Sequence, residues 1–127
     1  MGTWVKYGMD KKVQKILKVP MQARAKKSRC GNPFMTSYQI AIAFKQRYPE
    51  DFEKIGKPVG GSGADTHNSL TRYIAETLTN RIKNKQIKKV ECGSLSVAHR
   101  EGIPFKDEEA TIYSSGKYDL SMFRVKS

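Results

Sequence analysis

Amide, hydroxyl and guanidinium side chains recur at helical spacing between residues 66 and 84, and such groups hydrogen-bond to bases and phosphates. Turned through 3.6 residues per turn, one side of a helix here carries Asn68, Ser69, Arg72, Glu76, Thr79, Asn80 and Lys83. An ordinary solvated face is the alternative, but it more often alternates Glu and Lys pairs. The segment therefore predicts a 66–84 helix with one side equipped for binding.

The other side of this segment is apolar. Its apolar residues recur every four positions and form one stripe, which has to face a core: Leu70, Ile74, Leu78 and Ile82. Asp65 is a favourable N-cap, so we expect the helix to begin there. The glycine-rich residues 60–63 leave room for a phosphate near the positive end of the helix dipole, although they match no phosphate-loop motif.

Positive charge is concentrated around this helix and near the N-terminus. A run without an acid follows the polar face: Arg81, Lys83, Lys85, Lys88 and Lys89. A second group lies in a stretch without apolar periodicity, which is typical of either a mobile arm or a solvated linker: Arg24, Lys26, Lys27 and Arg29. Basic side chains of both groups suit phosphates, and an arm of this kind can enter a minor groove.

Composition narrows the class of protein. The 127 residues include 24 Lys and Arg against 12 Asp and Glu, a net charge of +12 that repels itself in a compact state and indicates an anionic partner. This length suits one domain. No stretch approaches the roughly 20 apolar residues of a membrane span, and no signal peptide is present, so we expect a cytoplasmic chain. Cys30 and Cys92 form no C-x-x-C pattern, so we expect reduced thiols without a metal or cofactor.

The first half of the chain is predicted to be helical. Residues 3–7 alternate as a short strand does, and residues 9–18 form a basic amphipathic helix that Pro20 ends. Thr36 and Gln39 make a capping box at the start of a helix that runs to Tyr48, followed by a short helix at 50–55. The 36–48 helix is apolar on two sides. We expect Tyr38 and Ile42 to meet the first helix while Ile40 and Phe44 meet the 66–84 helix.

The second half changes to strand periodicity. Ile87 and Val90 begin a strand that leaves the long helix and continues through Leu95 and Val97, and residues 98–109 read as a loop. Residues 110–113 and 118–125 are rich in β-forming residues on either side of Ser-Ser-Gly-Lys, which predicts a hairpin.

The order helix, short helix, loop, polar-faced helix, strands resembles the winged helix-turn-helix family of DNA-binding domains. TSYQIAIAFKQRYP at 36–49 looks like its first helix, and SLTRYIAETLTNRIKNKQIKKVE at 69–91 is similar to a recognition helix that runs into a wing strand. The likeness covers roughly residues 33–125, although the linker between residues 55 and 65 is longer than the usual turn. It implies an α+β fold whose helices precede a small antiparallel sheet in residues 31–127, with a basic helix and arm in residues 1–30.

The resemblance implies a role for each polar residue. Asn68, Ser69 and Arg72 would face base edges in the major groove, while Glu76 accepts from a cytosine or orients Arg72. The residues expected on phosphates are Arg81, Lys83, Lys85, Lys88 and Lys89, and Thr79 and Asn80 complete the same face. The sequence thus predicts a non-catalytic, double-stranded DNA-binding protein, such as a transcriptional or chromosomal accessory factor.

Other classes of function stay open. The basic charge, the arm and six tyrosines also suit RNA or single strands, where bases stack on aromatic rings. An acidic protein is a third kind of partner. A metal-dependent nuclease is less favoured, because its candidate ligands have no second motif: His99, Glu101, Asp107, Glu108 and Glu109. The sequence contains no heptad pattern that would indicate the oligomeric state.

Overall fold

The computed structural model describes residues 2–22, 31–60, 69–96, 98–99, 102–108, 110–114 and 119–126, with side chains described to residue 19 in the first range. The helices are α1 (Thr3–Lys6), α2 (Met9–Gln22), α3 (Ser37–Arg47), α4 (Pro49–Ile55) and α5 (Leu70–Lys83). The strands are β1 (Met35–Thr36), β2 (Val90–Leu95), β3 (Pro104–Asp107), β4 (Ala110–Tyr113) and β5 (Leu120–Val125). The predicted α+β class, with small antiparallel sheets, is confirmed.

The N-terminal helices differ in part from their predictions. α2 begins at Met9 as expected but continues two residues past Pro20 to Gln22. The strand predicted for residues 3–7 is wrong, because α1 is a helical turn. Its packing explains the difference: Trp4 is 4% exposed, and its ring meets Tyr73 edge-on with centroids 5.7 Å apart. A tertiary contact therefore decides the local structure here.

The capping box at the start of α3 is confirmed. Thr36 Oγ1 accepts from the Gln39 backbone N–H at 3.2 Å, and the Thr36 N–H donates to Gln39 Oε1 at 2.7 Å. Both bonds satisfy backbone groups that the first turn leaves without a helical partner. α4 follows with Pro49 as its first residue, where the fixed backbone angle of proline suits a helix start.

The helices and the central strand share one hydrophobic core. Its fully buried side chains come from α2, α3, α5, β2 and β5: Met9, Val13, Ile16, Leu17, Ile40, Phe44, Leu70, Ile74, Leu78, Val90 and Phe123. α3 packs against both α2 and α5, as its two apolar sides predict. Residues 3–19 and the elements after residue 31 therefore belong to the same packed unit.

Strand pairing differs from the prediction. One sheet has the order β1-β5-β2 and is antiparallel, with Cys92 opposite Phe123 and Met35 on the other side of Phe123. β4 pairs with β3 in a separate two-stranded hairpin, so the predicted pairing of 110–113 with 118–125 is wrong. The loop predicted for 98–109 is also wrong at residues 104–107, which form β3. Glu108 has a left-handed backbone (φ 56°) and makes the tight turn that brings β3 and β4 together.

The β3–β4 hairpin is anchored on α3. Phe105 stacks on Tyr38 with centroids 5.1 Å apart and the two rings nearly parallel. Lys45 donates to Asp107 at 2.9 Å, and Asp107 is only 8% exposed. Tyr38 thus packs on this hairpin, a contact that its spacing in the sequence does not predict. Among the described residues, no helix is long and apolar enough to cross a membrane.

Candidate nucleic-acid interface

The polar-faced helix begins later than the sequence predicts. Ser69 is extended (ψ 153°), and its Oγ accepts from the Arg72 backbone N–H at 3.1 Å, so Ser69 is the N-cap and the predicted start at residue 66 is wrong. Asp65, the expected cap, lies outside the described residues. Because Ser69 is 5% exposed and committed to its cap, it lies beneath the exposed face.

The first three helical N–H groups of α5, those of Leu70, Thr71 and Arg72, already have acceptors in the protein. The N–H of Leu70 donates to Pro58 O at 2.7 Å, and the N–H of Thr71 donates to Val59 O at 3.2 Å. The preceding loop lies so close that a Cβ at Gly60 would be 2.7 Å from the Cβ of Ser69. The start of α5 is therefore bonded to the preceding chain, while residues 61–63 of the predicted phosphate-binding loop lie outside the described residues.

The exposed face of α5 carries an ion pair. Arg72 Nε donates to Glu76 Oε1 at 2.8 Å, and the two side chains are 45% and 60% exposed. Two roles are predicted for Glu76, and the structure contains one of them, the ion pair that orients Arg72. Asn80 and Lys83 are exposed on the same helix, and Thr79 is half-buried.

An open groove runs beside this face. Its volume is about 320 Å³, and it is lined by Ala75, Glu76, Thr79, Asn80 and Ser121. Ser121 belongs to β5, the central strand of the β1-β5-β2 sheet, and contributes the one groove residue that is not on α5. Sequence reasoning missed Ser121, since no local pattern connects it with α5.

Arg81 has a structural partner. Its Nε and Nη2 donate to the two carboxylate oxygens of Asp10 at 3.1 and 3.0 Å, and the side chains are 22% and 31% exposed. The indole N–H of Trp4 donates to the same carboxylate at 2.5 Å. The sequence predicts Arg81 as a phosphate ligand, whereas the structure uses one edge of its guanidinium, formed by Nε and Nη2, to join α2 to α5.

Five exposed lysines surround the end of α5, and we call them the C-terminal lysine cluster: Lys83, Lys85, Lys88, Lys89 and Lys126. Lys126 was missed by sequence reasoning. Its backbone N–H donates to Lys89 O at 2.8 Å, so the C-terminal segment adds a cation beside β2. Within the described residues no ion pair involves a lysine of this cluster, since the nearby Glu91 pairs with Arg124 at 2.8 Å.

A chain reversal gathers these lysines. The N–H of Gln86 donates to Arg81 O at 2.9 Å and the N–H of Lys85 donates to Ile82 O at 3.1 Å, which is the Schellman pattern of helix ends. Lys85 occupies its left-handed position with φ 60°, where glycine is the usual residue. The lysines before and after the reversal are thereby held in one region.

Burial also shifts the pKa of one titratable side chain on α5. Desolvation raises the pKa of the Tyr73 phenol above its ordinary value, and a backbone hydrogen bond to Trp4 partly offsets this. The phenol thus remains neutral at physiological pH and serves to pack α1 against α5, with Lys57 over its ring at 5.3 Å.

The remaining predicted residues fall into two groups. Asn68 of the polar face and the arm residues Arg24, Lys26, Lys27 and Arg29 lie outside the part of the chain that the structure describes. Of the acids considered as nuclease ligands, Glu101 and Glu109 also lie outside the described residues. Asp107 docks the hairpin on Lys45, and the described residues contain no group of three or more His, Cys, Asp or Glu side chains arranged for a metal.

No protein-family model, curated protein or solved structure matches the chain.

Proposed function

We propose that this chain is a non-catalytic protein of winged helix-turn-helix type that binds double-stranded DNA, as a transcriptional or chromosomal accessory factor. The observation that carries the proposal is the C-terminal lysine cluster at the end of a helix whose exposed face bears Arg72, Glu76 and Asn80. Lysines that form no ion pair within the described residues supply phosphate contacts, and an adjoining polar helix face supplies contacts to base edges.

The order of elements supports the winged helix-turn-helix assignment. α3 and the short α4 precede α5, and β2 follows α5 and pairs antiparallel with β5. One feature departs from it. The β3–β4 hairpin, which lies between β2 and β5 in the sequence, is anchored on α3 through Tyr38 and Lys45. The proposed DNA contact therefore relies on α5 and the lysine cluster, with no contact assigned to this hairpin.

The distribution of aromatic side chains favours duplex DNA over unpaired strands. Proteins that bind single strands or RNA loops stack bases on exposed aromatic rings. Among the described residues, Tyr113 is the one exposed aromatic side chain, at 51%, and the others are buried or half-buried. The single exposed tyrosine of the described residues does not form a stacking surface for successive bases.

The backbone at Lys85 gives a test of the lysine cluster. Lys85→Gly is expected to raise the free energy of unfolding by about 0.5–1 kcal/mol, because glycine adopts the left-handed conformation without a steric cost. The same change removes a cation, so it should weaken duplex binding. The negative slope of log affinity against log salt concentration should become shallower by about 0.9. Urea unfolding and anisotropy titrations on one preparation measure both effects. A variant that is more stable and binds as tightly as the wild type would show that Lys85 contributes nothing to binding.

Arg72 and Lys88 should affect binding in different ways. Arg72→Ala is expected to reduce the preference for a selected duplex over a random one, by roughly 10-fold if the guanidinium makes a bidentate contact worth about 1–3 kcal/mol. Lys88→Ala is expected to weaken both duplexes equally, because a phosphate contact carries no sequence information. Selection of a preferred duplex followed by competition titrations gives the two ratios.

The matched control for Arg72 is Glu76→Gln. It removes the charge that orients the guanidinium but keeps the guanidinium itself, so a smaller loss of discrimination is expected. Equal losses on selected and random duplexes for Arg72→Ala and Lys88→Ala would contradict this division of roles.

A further inference from the structure

We propose that α2 carries a second phosphate-binding surface, formed by Lys11, Lys15 and Lys18, that holds the backbone of duplex DNA without reading its sequence. This inference rests on the duplex binding proposed above and adds a contact surface outside α5. We call these three residues the α2 lysine stripe. They occupy positions i, i+4 and i+7 of the helix, which place them along one side, and all three are exposed.

The stripe lies opposite the side of α2 that is packed. Met9, Val13, Ile16 and Leu17 are 0–1% exposed and face the core. The flanks are occupied as well, because Asp10 pairs with Arg81 of α5 and Lys12 pairs with Asp51 of α4. The rotation of α2 about its axis is thus set by contacts on three sides, and the lysine stripe faces away from the core.

The charge of this surface has one sign. In residues 9–22 Asp10 is the only acid of the sequence, and its carboxylate is already bonded to Arg81 and Trp4. Solvated helix faces commonly mix acids and bases, which pair at i, i+4 spacing. Among the described residues no ion pair involves a lysine of the stripe. Its three cations repel one another until an anion lies against them.

The dimensions suit a nucleic-acid backbone. With a rise of 1.5 Å per residue, seven residues of helix span roughly 10 Å. Each strand of duplex DNA carries one phosphate per about 3.4 Å of duplex axis, so a helix lying along that axis spans about three phosphates of one strand. The Asp10–Arg81 ion pair also fixes the position of the first residue of the stripe, because Lys11 directly follows Asp10 in the sequence. The C-terminal lysine cluster follows Arg81, the other partner of the same ion pair.

An anionic membrane fits the same helix less well. Basic amphipathic helices bind membranes by inserting their apolar side below the headgroups. The apolar side of α2 is committed to the protein core, as the burial of Val13 and Ile16 shows. Only the lysine side of α2 remains available to a membrane, so the helix would bind headgroups by charge alone, without an inserted apolar side.

The test compares two triple variants of equal net charge. Lys11→Gln/Lys15→Gln/Lys18→Gln removes the stripe, whereas Arg47→Gln/Lys54→Gln/Lys106→Gln removes exposed charges of α3, α4 and β3. Binding to random duplex DNA is followed by fluorescence anisotropy at several salt concentrations, with circular dichroism and melting curves to check folding. The stripe variant is expected to make the negative slope of log affinity against log salt shallower by about 2.7. Its affinity near 0.15 M salt is expected to fall about 100-fold, equally for any duplex sequence.

The outcomes separate this inference from the proposed function. A folded stripe variant that binds like the control variant, when the wild type binds duplex DNA, would overturn the α2 surface alone. A wild-type chain that does not bind duplex DNA would overturn both proposals. Vesicles containing anionic phosphatidylserine form the third arm, and a loss of vesicle binding with duplex binding unchanged would assign the stripe to membranes and overturn the inference.

Discussion

Replacing Lys83, Lys88 and Lys89 together by glutamine is expected to weaken binding to duplex DNA by about 100-fold near 0.15 M salt and to lower the salt slope by about 2.7. All three side chains are exposed, and within the described residues none of them has an acidic partner. Each phosphate neutralised by a lysine releases condensed counterions, which contributes about 0.9 to the slope on duplex DNA. The loss is expected to be the same for random and selected sequences, since phosphates are common to both.

The charge-matched variant Arg47→Gln/Lys54→Gln/Lys106→Gln is the control, because it lowers the net charge equally at positions away from α5. Its slope of log affinity against log salt is expected to differ from that of the wild type by no more than about 0.9, the value of one phosphate contact. If both triple variants lose the same affinity, binding would depend on total charge alone, and no interface at the end of α5 would be needed.

Asp10→Ala is expected to lower the free energy of unfolding by about 3 kcal/mol. The carboxylate accepts from Arg81 through both of its oxygens and from the Trp4 indole, at distances of 2.5–3.1 Å. Its removal leaves a half-buried guanidinium and a mostly buried N–H without this acceptor. Since these bonds join α1, α2 and α5, all three helices should loosen together. Urea unfolding monitored by Trp4 fluorescence measures the change.

Glu76→Ala is the matched control for this prediction. It breaks an ion pair of comparable length on the same helix, but at an exposed position, so a change within about 0.5 kcal/mol is expected. A double-mutant cycle of Asp10→Ala with Arg81→Gln then isolates the pair. A coupling energy near zero would show that the Asp10–Arg81 pair does not stabilise the fold and would contradict this prediction.

Local patterns in the sequence were sufficient for most of the helical part. The capping box at Thr36, the start of α2 at Met9 and the apolar stripe of α5 depend on residues within a few positions of each other. The two apolar sides of α3 likewise predicted its place between α2 and α5. These features depend on helical periodicity, which is contained in a single segment.

Features that depend on distant partners were not predictable. Strand periodicity does not say which strand pairs with which, so β4 was assigned to β5 although it pairs with β3. The sequence predicts Arg81 as a phosphate ligand, because its partner Asp10 is 71 positions away and no local pattern connects the two. α5 begins after the N-cap Ser69, later than predicted, because the carbonyl groups of Pro58 and Val59 accept from the first backbone N–H groups of the helix. Each of these outcomes was decided by tertiary contacts.

The most direct test of duplex binding through the end of α5 is fluorescence anisotropy of the full chain against random duplex DNA, single-stranded DNA and structured RNA over a range of salt concentrations. The duplex is expected to bind most tightly, with a slope of log affinity against log salt of about −4 or steeper, because the C-terminal lysine cluster supplies five cations. Tighter binding to RNA or to single strands, or a duplex slope shallower than about −1, would contradict duplex recognition by this surface.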